Sequence, residues 1–215
     1  MNTIIKLIAI IFAFSFASCA VKLTSETPCE KKSNINQENY DKYDNICLLS
    51  GKIYDNVKIK CVNSDHVFIE DEKGKTNTLE YAEIFSFKNK LAEELVIYKP
   101  DSTMAYDMTV EQMRMFIKGE IDAKAAPSSR ANFLGSIVFG GASGLVGFWG
   151  IPVPVIYGLG TNSFSPSLKK ANQDLINNQY YVDGYKGKVK SKRLKNAFIG
   201  GFTSFGIAAL IVILL

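Results

Sequence analysis

The side chains with the widest chemical reach in this sequence are its four cysteines, Cys19, Cys29, Cys47 and Cys61, and its single histidine, His66. Cysteines carry redox chemistry or ligate zinc when they sit in Cys-x-x-Cys pairs, and no such pair occurs. A lone histidine cannot build a histidine metal site, and His66 falls on a predicted strand, where a surface position is expected. Glu120 and Asp122 invite an acid–base reading, but two residues apart on a helix they point in different directions. Gly141, Gly144 and Gly147 spell Gly-x-x-Gly-x-x-Gly. Without a preceding strand and a following acidic residue this is not a dinucleotide loop. Neither a Gly-x-Ser-x-Gly elbow nor a P-loop is present. The expectation is a protein that is not an enzyme, with no catalytic residue, cofactor or metal.

The cysteines bear on compartment instead. Met1–Ala20 offers a basic residue, Lys6, an apolar run from Leu7 to Phe16, then Ala17-Ser18-Cys19-Ala20, the order of a secretory signal. The run is shorter than the ~20 residues a spanning helix needs, which favours a signal over an uncleaved anchor. Phe16-Ala17-Ser18-Cys19 also resembles a bacterial lipobox, whose cysteine becomes the lipidated first residue of the mature chain. Lipidation of Cys19 and ordinary cleavage after Ala20 both stay open. Either leaves three cysteines, an odd number that allows one internal bridge and one free thiol in an oxidising compartment. Cys61 alternates with Val57 and Ile59 and is expected as a buried core thiol, with Cys29–Cys47 as the bridge.

Stepping along the chain, residues 21–45 are rich in Ser, Glu, Lys, Asn and Asp and cannot bury enough surface to offset their ordering entropy. A flexible tether is expected there. Residues 46–102 carry five β-rich runs, Ile46–Leu49, Ile53–Cys61, His66–Glu70, Thr76–Leu79 and Ile84–Phe87, separated by Gly, Asn and Asp turns. Residues 91–98 could add a last strand before Pro100. Five short strands hide their edges by curling closed. Their spacing resembles an SH3-like or Sm-like small barrel, which implies loops that meet a partner. Residues 103–130 predict an amphipathic helix. Thr109 and Gln112 match a capping box, and Val110, Met113, Ile117 and Ile121 share a face.

Two uncharged segments follow, 131–160 and 197–215. The first has thirty residues, enough to span ~30 Å of hydrocarbon. Gly135, Gly140, Gly144 and, in the second segment, Gly200 are the expected helix-packing positions; Gly140 and Gly144 have small-xxx-small spacing. Pro152 and Pro154 should end or bend the first helix, and Trp149 and Tyr157 suit an interfacial belt. Between the segments, residues 161–196 hold 8 Lys/Arg against 2 Asp/Glu, whereas 20–130 hold 16 against 19. The overall +4 is therefore local and does not describe a nucleic-acid-binding surface. Lys186, Lys188, Lys190, Lys192, Arg193 and Lys195 read as a membrane-side basic cluster that marks a cytoplasmic loop and attracts anionic headgroups. The expected topology exports 20–130, returns through 131–160, keeps 161–196 inside and crosses outward through 197–215. No ionisable residue lies in either segment, which argues against ion-coupled transport.

A shift of 65 residues aligns Gly119 with Gly184, Phe116 with Tyr181, Arg130 with Lys195, Phe133 with Phe198, Gly135 with Gly200 and Gly141 with Gly206. Such a repeat implies two membrane helices packed as a pseudo-symmetric hairpin. Gly119-Glu120-Ile121-Asp122-Ala123 and Gly184-Tyr185-Lys186, with their flanking apolar segments, resemble uncharacterised envelope proteins of Bacteroidota over residues 46–215. That resemblance implies no known activity. The sequence thus predicts an α+β chain: a small five-stranded SH3-like β-barrel, amphipathic helices and two transmembrane helices, in a bacterial envelope with the barrel on the outer side. Expected partners are the lipid bilayer and either another envelope protein or a second copy, without nucleic acid. The expected role is a non-enzymatic interaction or structural module; the alternative is a glycine-packed oligomeric pore or transport-accessory subunit.

Overall fold

Seven strands form two small antiparallel sheets in a computed structural model that describes residues 40, 42–101, 107–126 and 130–214. The segment expected to be a signal peptide, Cys19, Cys29 and most of the stretch expected to be a tether lie outside the described residues. The strands are β1 (Asn45–Leu48), β2 (Ile53–Tyr54), β3 (Lys58–Val62), β4 (His66–Glu70), β5 (Thr76–Glu80), β6 (Ile84–Lys88) and β7 (Glu94–Val96). One sheet has the order β2–β1–β6–β7 and the other β3–β4–β5. The expected single run over Ile53–Cys61 breaks at Asn56, which takes a left-handed φ of 52°, a conformation that asparagine tolerates better than most residues. Asn45 Oδ1 accepts from the Asn56 amide at 3.2 Å, and the Val57 amide donates to the Asp44 carbonyl at 2.8 Å. The break gives β2 to one sheet and β3 to the other. The expected SH3-like barrel is corrected accordingly: the sheets stay open and do not close.

Both sheets still share one core, built from Ile46, Leu48, Val57, Ile59, Val67, Ile69, Leu79, Ile84 and Phe87. Alternation places Val57 and Ile59 inside and Lys58 and Lys60 outside. Tyr40 and Tyr43 are buried in this core, their rings 5.2 and 6.1 Å from that of Phe87. Two residues of the stretch expected to be tether, Tyr40 and Tyr43, are therefore part of the core.

Helix α1 (Val110–Ala125) starts where its capping box predicts. Thr109 Oγ1 accepts from the Gln112 amide, and Gln112 Oε1 accepts from the Thr109 amide at 2.8 Å. Its fully buried residues are Ile117, Gly119 and Ala123. Of the four apolar residues expected on the inner face, Val110, Met113 and Ile121 are only half-buried. A close approach at Gly119 turns the small residues inward instead.

The uncharged stretch 131–160 is not one spanning helix. It forms α2 (Arg130–Gly144) and α3 (Pro152–Ser163), joined through a 3-10 turn at Gly147–Gly150. Gly147 takes a left-handed φ of 63°, and Pro152 opens α3, where a missing amide costs nothing. At 1.5 Å per residue these helices are about 22 and about 18 Å long, each short of ~30 Å. They fold back on one another: the Tyr157 hydroxyl lies 3.4 Å from the Asn132 carbonyl, and Gly150 abuts the Ser143 backbone.

Phe164–Asn178 is irregular apart from a short 3-10 turn at Gln173–Leu175, where a second amphipathic helix is expected. Its Leu168, Leu175 and Ile176 nevertheless pack on Ala171, Tyr181, Val182 and Tyr185. Asn178 then starts α4 (Gln179–Leu214), its side chain accepting from the Tyr181 amide at 3.1 Å. The helix runs unbroken for 36 residues, about 54 Å. The expected basic loop and second membrane segment are therefore largely one rod. Among the described residues, α4 is the one helix long and apolar enough to cross a membrane. Only 22% of its most apolar 18-residue window is buried, unlike the core helix of a soluble protein.

The basic half of α4 packs beside α1, and its apolar half packs against α2 and α3. Both ends of the α2–α3 pair sit near residues 193–200, where Ser136 approaches the Asn196 carbonyl, Gly158 meets Leu194 and Phe198, and Phe164 meets Arg193. Its turn lies further along, with Gly144 against Phe205 and Ala208. The β strands and the basic stretch are thus neighbours. They do not lie at opposite ends of the apolar bundle, as the expected topology requires.

Candidate functional site

The residues that stand out in the sequence meet where α1 crosses α4. A methyl group built on Gly119 would overlap the Tyr181 carbonyl oxygen, and one on Gly184 would overlap the Phe116 carbonyl oxygen. The 65-residue shift, which equates Gly119 with Gly184 and Phe116 with Tyr181, carries one of these contacts into the other, so the crossing has a local pseudo-two-fold. Phe116 lies against Gly184, Glu120 against Lys188, and the end of α1 against Lys192. The repeated helices therefore run parallel, not as the expected hairpin, and α3 is the return stroke that makes this possible.

Each polar residue of Gly119-Glu120-Ile121-Asp122 holds a different neighbour. Asp122 Oδ2 accepts from the Tyr181 hydroxyl at 2.9 Å, and that hydroxyl accepts from the Asn172 amide at 2.9 Å. This ties the irregular segment to both helices. Burial pushes the Tyr181 and Tyr185 hydroxyls above their ordinary range, so both stay protonated. The Glu120 side chain, 14% exposed, lies 3.8 Å from Lys188 Nζ, and its second oxygen is buried with no hydrogen-bond partner among the described residues. Burial outweighs the lysine and raises the Glu120 carboxyl. Lys188 also donates to the Ser50 carbonyl at 2.8 Å, which links α4 to the β1–β2 turn.

A second carboxylate joins α1 to the sheet. Glu94 on β7 accepts from the Ser86 hydroxyl at 2.7 Å and from Arg114 of α1. Burial pushes Glu94 up, but Ser86, Arg114 and Lys88 together hold it below the ordinary value. Arg114 also lies 5.5 Å from the centre of the Phe85 ring.

Compared with known proteins, the chain matches no family model, no curated protein and no solved structure.

The basic cluster is partly structural. Lys192 donates to the carbonyls of Ala123, Lys124 and Ala126 at 3.1, 3.2 and 2.7 Å, neutralising the negative end of α1. Arg193 donates to the Phe164 carbonyl at 3.1 Å. Lys186 and Lys190 are half-buried, and Lys195 is exposed. Spacing alone missed the Lys192 contacts because their acceptors are backbone carbonyls, which leave no trace in side-chain identity. Gly135 faces the Tyr157 hydroxyl, Gly140 faces Gly201 and Ser204, Gly144 faces Ala208, and Gly200 faces Phe133 and Ser136. All four glycines lie at helix contacts within this one chain. Tyr157 stacks on Phe139 at 5.0 Å, between α2 and α3, while Trp149 is 84% exposed at the hairpin turn.

Cys61 is disulfide-bonded and Cys47 is a free, half-buried thiol, which reverses the expected roles. The ladder slips between Ile59 and Cys61, and such a bulge re-aims the side chain that follows it. Burial pushes the Cys47 thiol up, making it a poor nucleophile. Among the described residues no group of three His, Cys, Asp or Glu side chains could hold a metal. His66 is exposed at the start of β4.

Proposed function

We propose that this chain is an integral membrane protein of a bacterial cell envelope. In this reading α2, α3 and the apolar half of α4 enter the bilayer, and the β module with α1 stands at its surface as a non-enzymatic interaction or structural module. One observation carries the reading. Among the described residues, Ile53 and Leu91 are the only exposed large apolar side chains of the β module, whereas Leu134, Val138, Val146, Trp149, Ile156, Leu159 and Leu210 all lie open on the helical bundle. In water so large an apolar face is an aggregation hazard; hydrocarbon solvates it, and helices satisfy their own backbone there. The bond at Cys61 supports an oxidising compartment, hence the outer side for the β module. The basic half of α4 then lies on that side too, used as a cap and a tie more than as a cytoplasmic marker. Gly140 and Gly144 are filled by α4 of the same chain, which favours the interaction module over an oligomeric pore.

Photo-cross-linking in native membranes tests both halves of the proposal. A photoreactive residue at Trp149 is expected to give lipid adducts, and one at Leu91, 83% exposed, a discrete adduct with another protein. No lipid adduct at position 149 overturns the anchoring, and no protein adduct at position 91 overturns the interaction role.

A further inference from the structure

A cavity of about 340 Å³ opens where the irregular segment after α3 passes the end of α1 and the last polar turn of α4. That volume falls within the roughly 300–1,000 Å³ of small-molecule sites. Lys169, Lys170, Lys192 and Arg193 line it together with Ser167 and Asn196, and its lining contains no carboxylate. Four cations from two separate chain segments thus converge on one concave space. Lys192 has its donors turned to the α1 carbonyls. Arg193 keeps Nε buried with no hydrogen-bond partner among the described residues. Lys169 and Lys170 are exposed at the mouth. A partly buried guanidinium with an unused donor calls for an acceptor anion, and phosphate oxygens match its fork.

Position decides which anion. Asn196 is the last polar residue before the uncharged run that begins at Ala197, and Phe164, 74% exposed, adjoins Arg193. The cavity therefore sits at the polar edge of the apolar bundle. We infer that it binds the phosphate diester of an anionic glycerophospholipid, with Arg193 on the phosphate, Lys169 and Lys170 closing over the headgroup, and the acyl chains running along α4. This rests on the membrane reading above and goes beyond it. A diffuse basic surface attracts anionic lipid without selecting any lysine, whereas a site depends on the residues that line it.

The experiment uses the full chain in neutral detergent. Its thermal midpoint is followed with added phosphatidylglycerol, phosphatidylcholine or inorganic phosphate. Insertion into phosphatidylcholine vesicles is measured in parallel by flotation. Phosphatidylglycerol is expected to raise the midpoint of the wild type where phosphatidylcholine and inorganic phosphate do not. The double variant Lys169→Gln/Lys170→Gln should need about tenfold more phosphatidylglycerol, a loss of one charge-assisted contact. Lys186→Gln/Lys190→Gln, with the same change in charge away from the cavity, should behave as wild type. Equal loss in both double variants, or protection by inorganic phosphate equal to that by lipid, overturns the site. Insertion into phosphatidylcholine vesicles with no phosphatidylglycerol effect overturns the site alone; failure to insert overturns the membrane reading beneath it.

Discussion

Gly184 and Gly187 stand one turn apart on α4 and should respond to the same substitution with opposite signs. At Gly184 a methyl group meets the Phe116 backbone, whereas at Gly187 it meets nothing within 4 Å. Overpacking against backbone costs about 1–3 kcal/mol, and replacing a helical glycine in open space gains up to about 1 kcal/mol. Gly184→Ala is therefore expected to lower the thermal midpoint in detergent, and Gly187→Ala to raise it. Stabilisation by both substitutions would mean that α1 and α4 do not meet at this crossing. The two glycines of the crossing were legible in the sequence, because a repeat that equates Gly119 with Gly184 equates positions that share one packing demand. The bonds around them were not. Lys192 and Lys188 find backbone carbonyls more than sixty residues away, and nothing in a lysine's identity announces that partner.

At the scale of elements, α1 is held to α4 and to the β module through two carboxylates, Glu120 against Lys188 and Glu94 against Arg114, whose ionisation works in opposite directions. Glu120 is raised, so its contribution is complete below its ordinary value of 4.5 and is lost as pH rises through the higher folded value. Glu94 is lowered, so its contribution is present above 4.5 and disappears as pH falls through the lower folded value. Thermal midpoints measured across this range should show Glu120→Gln removing part of the decline on the alkaline side and Glu94→Gln removing part of the decline on the acid side. A Glu120→Gln profile that parallels the wild type above 4.5 would contradict the burial of that side chain. Elements whose signal is local were readable in the sequence: the Val57–Ile59 alternation gave β3, and Thr109 with Gln112 gave the start of α1. Elements decided by a single torsion or by direction were not. Asn56 splits one expected strand into two, and with it the expected barrel into two sheets. The stretch 131–160 has the composition of a span, but composition is blind to the reversal at Gly147. The 36 residues of α4 were divided at a change in polarity that the backbone ignores.

For the whole molecule, the parallel course of α1 and α4 brings the turn after β1 and the segment after α3 to the same side of the bundle. Ser50→Cys and Lys170→Cys, both at exposed positions, introduced into a Cys47→Ser chain in sealed vesicles, are expected to react with an impermeant maleimide from the same face. Labelling from opposite faces would restore the alternating topology that the charge distribution implies. The unbroken α4 has a mechanical consequence as well. From Gln179 to Leu214 it contains no proline and no left-handed residue among those described, so it behaves as a lever about 54 Å long. A tilt of about 5° imposed where Lys188 grips Ser50 and Glu120 would swing the far end by roughly 3 Å, taking the rise of about 1.5 Å over each residue beyond the grip. A partner seated on the β module would thus write its presence, as a sideways displacement, into the deepest part of the bundle.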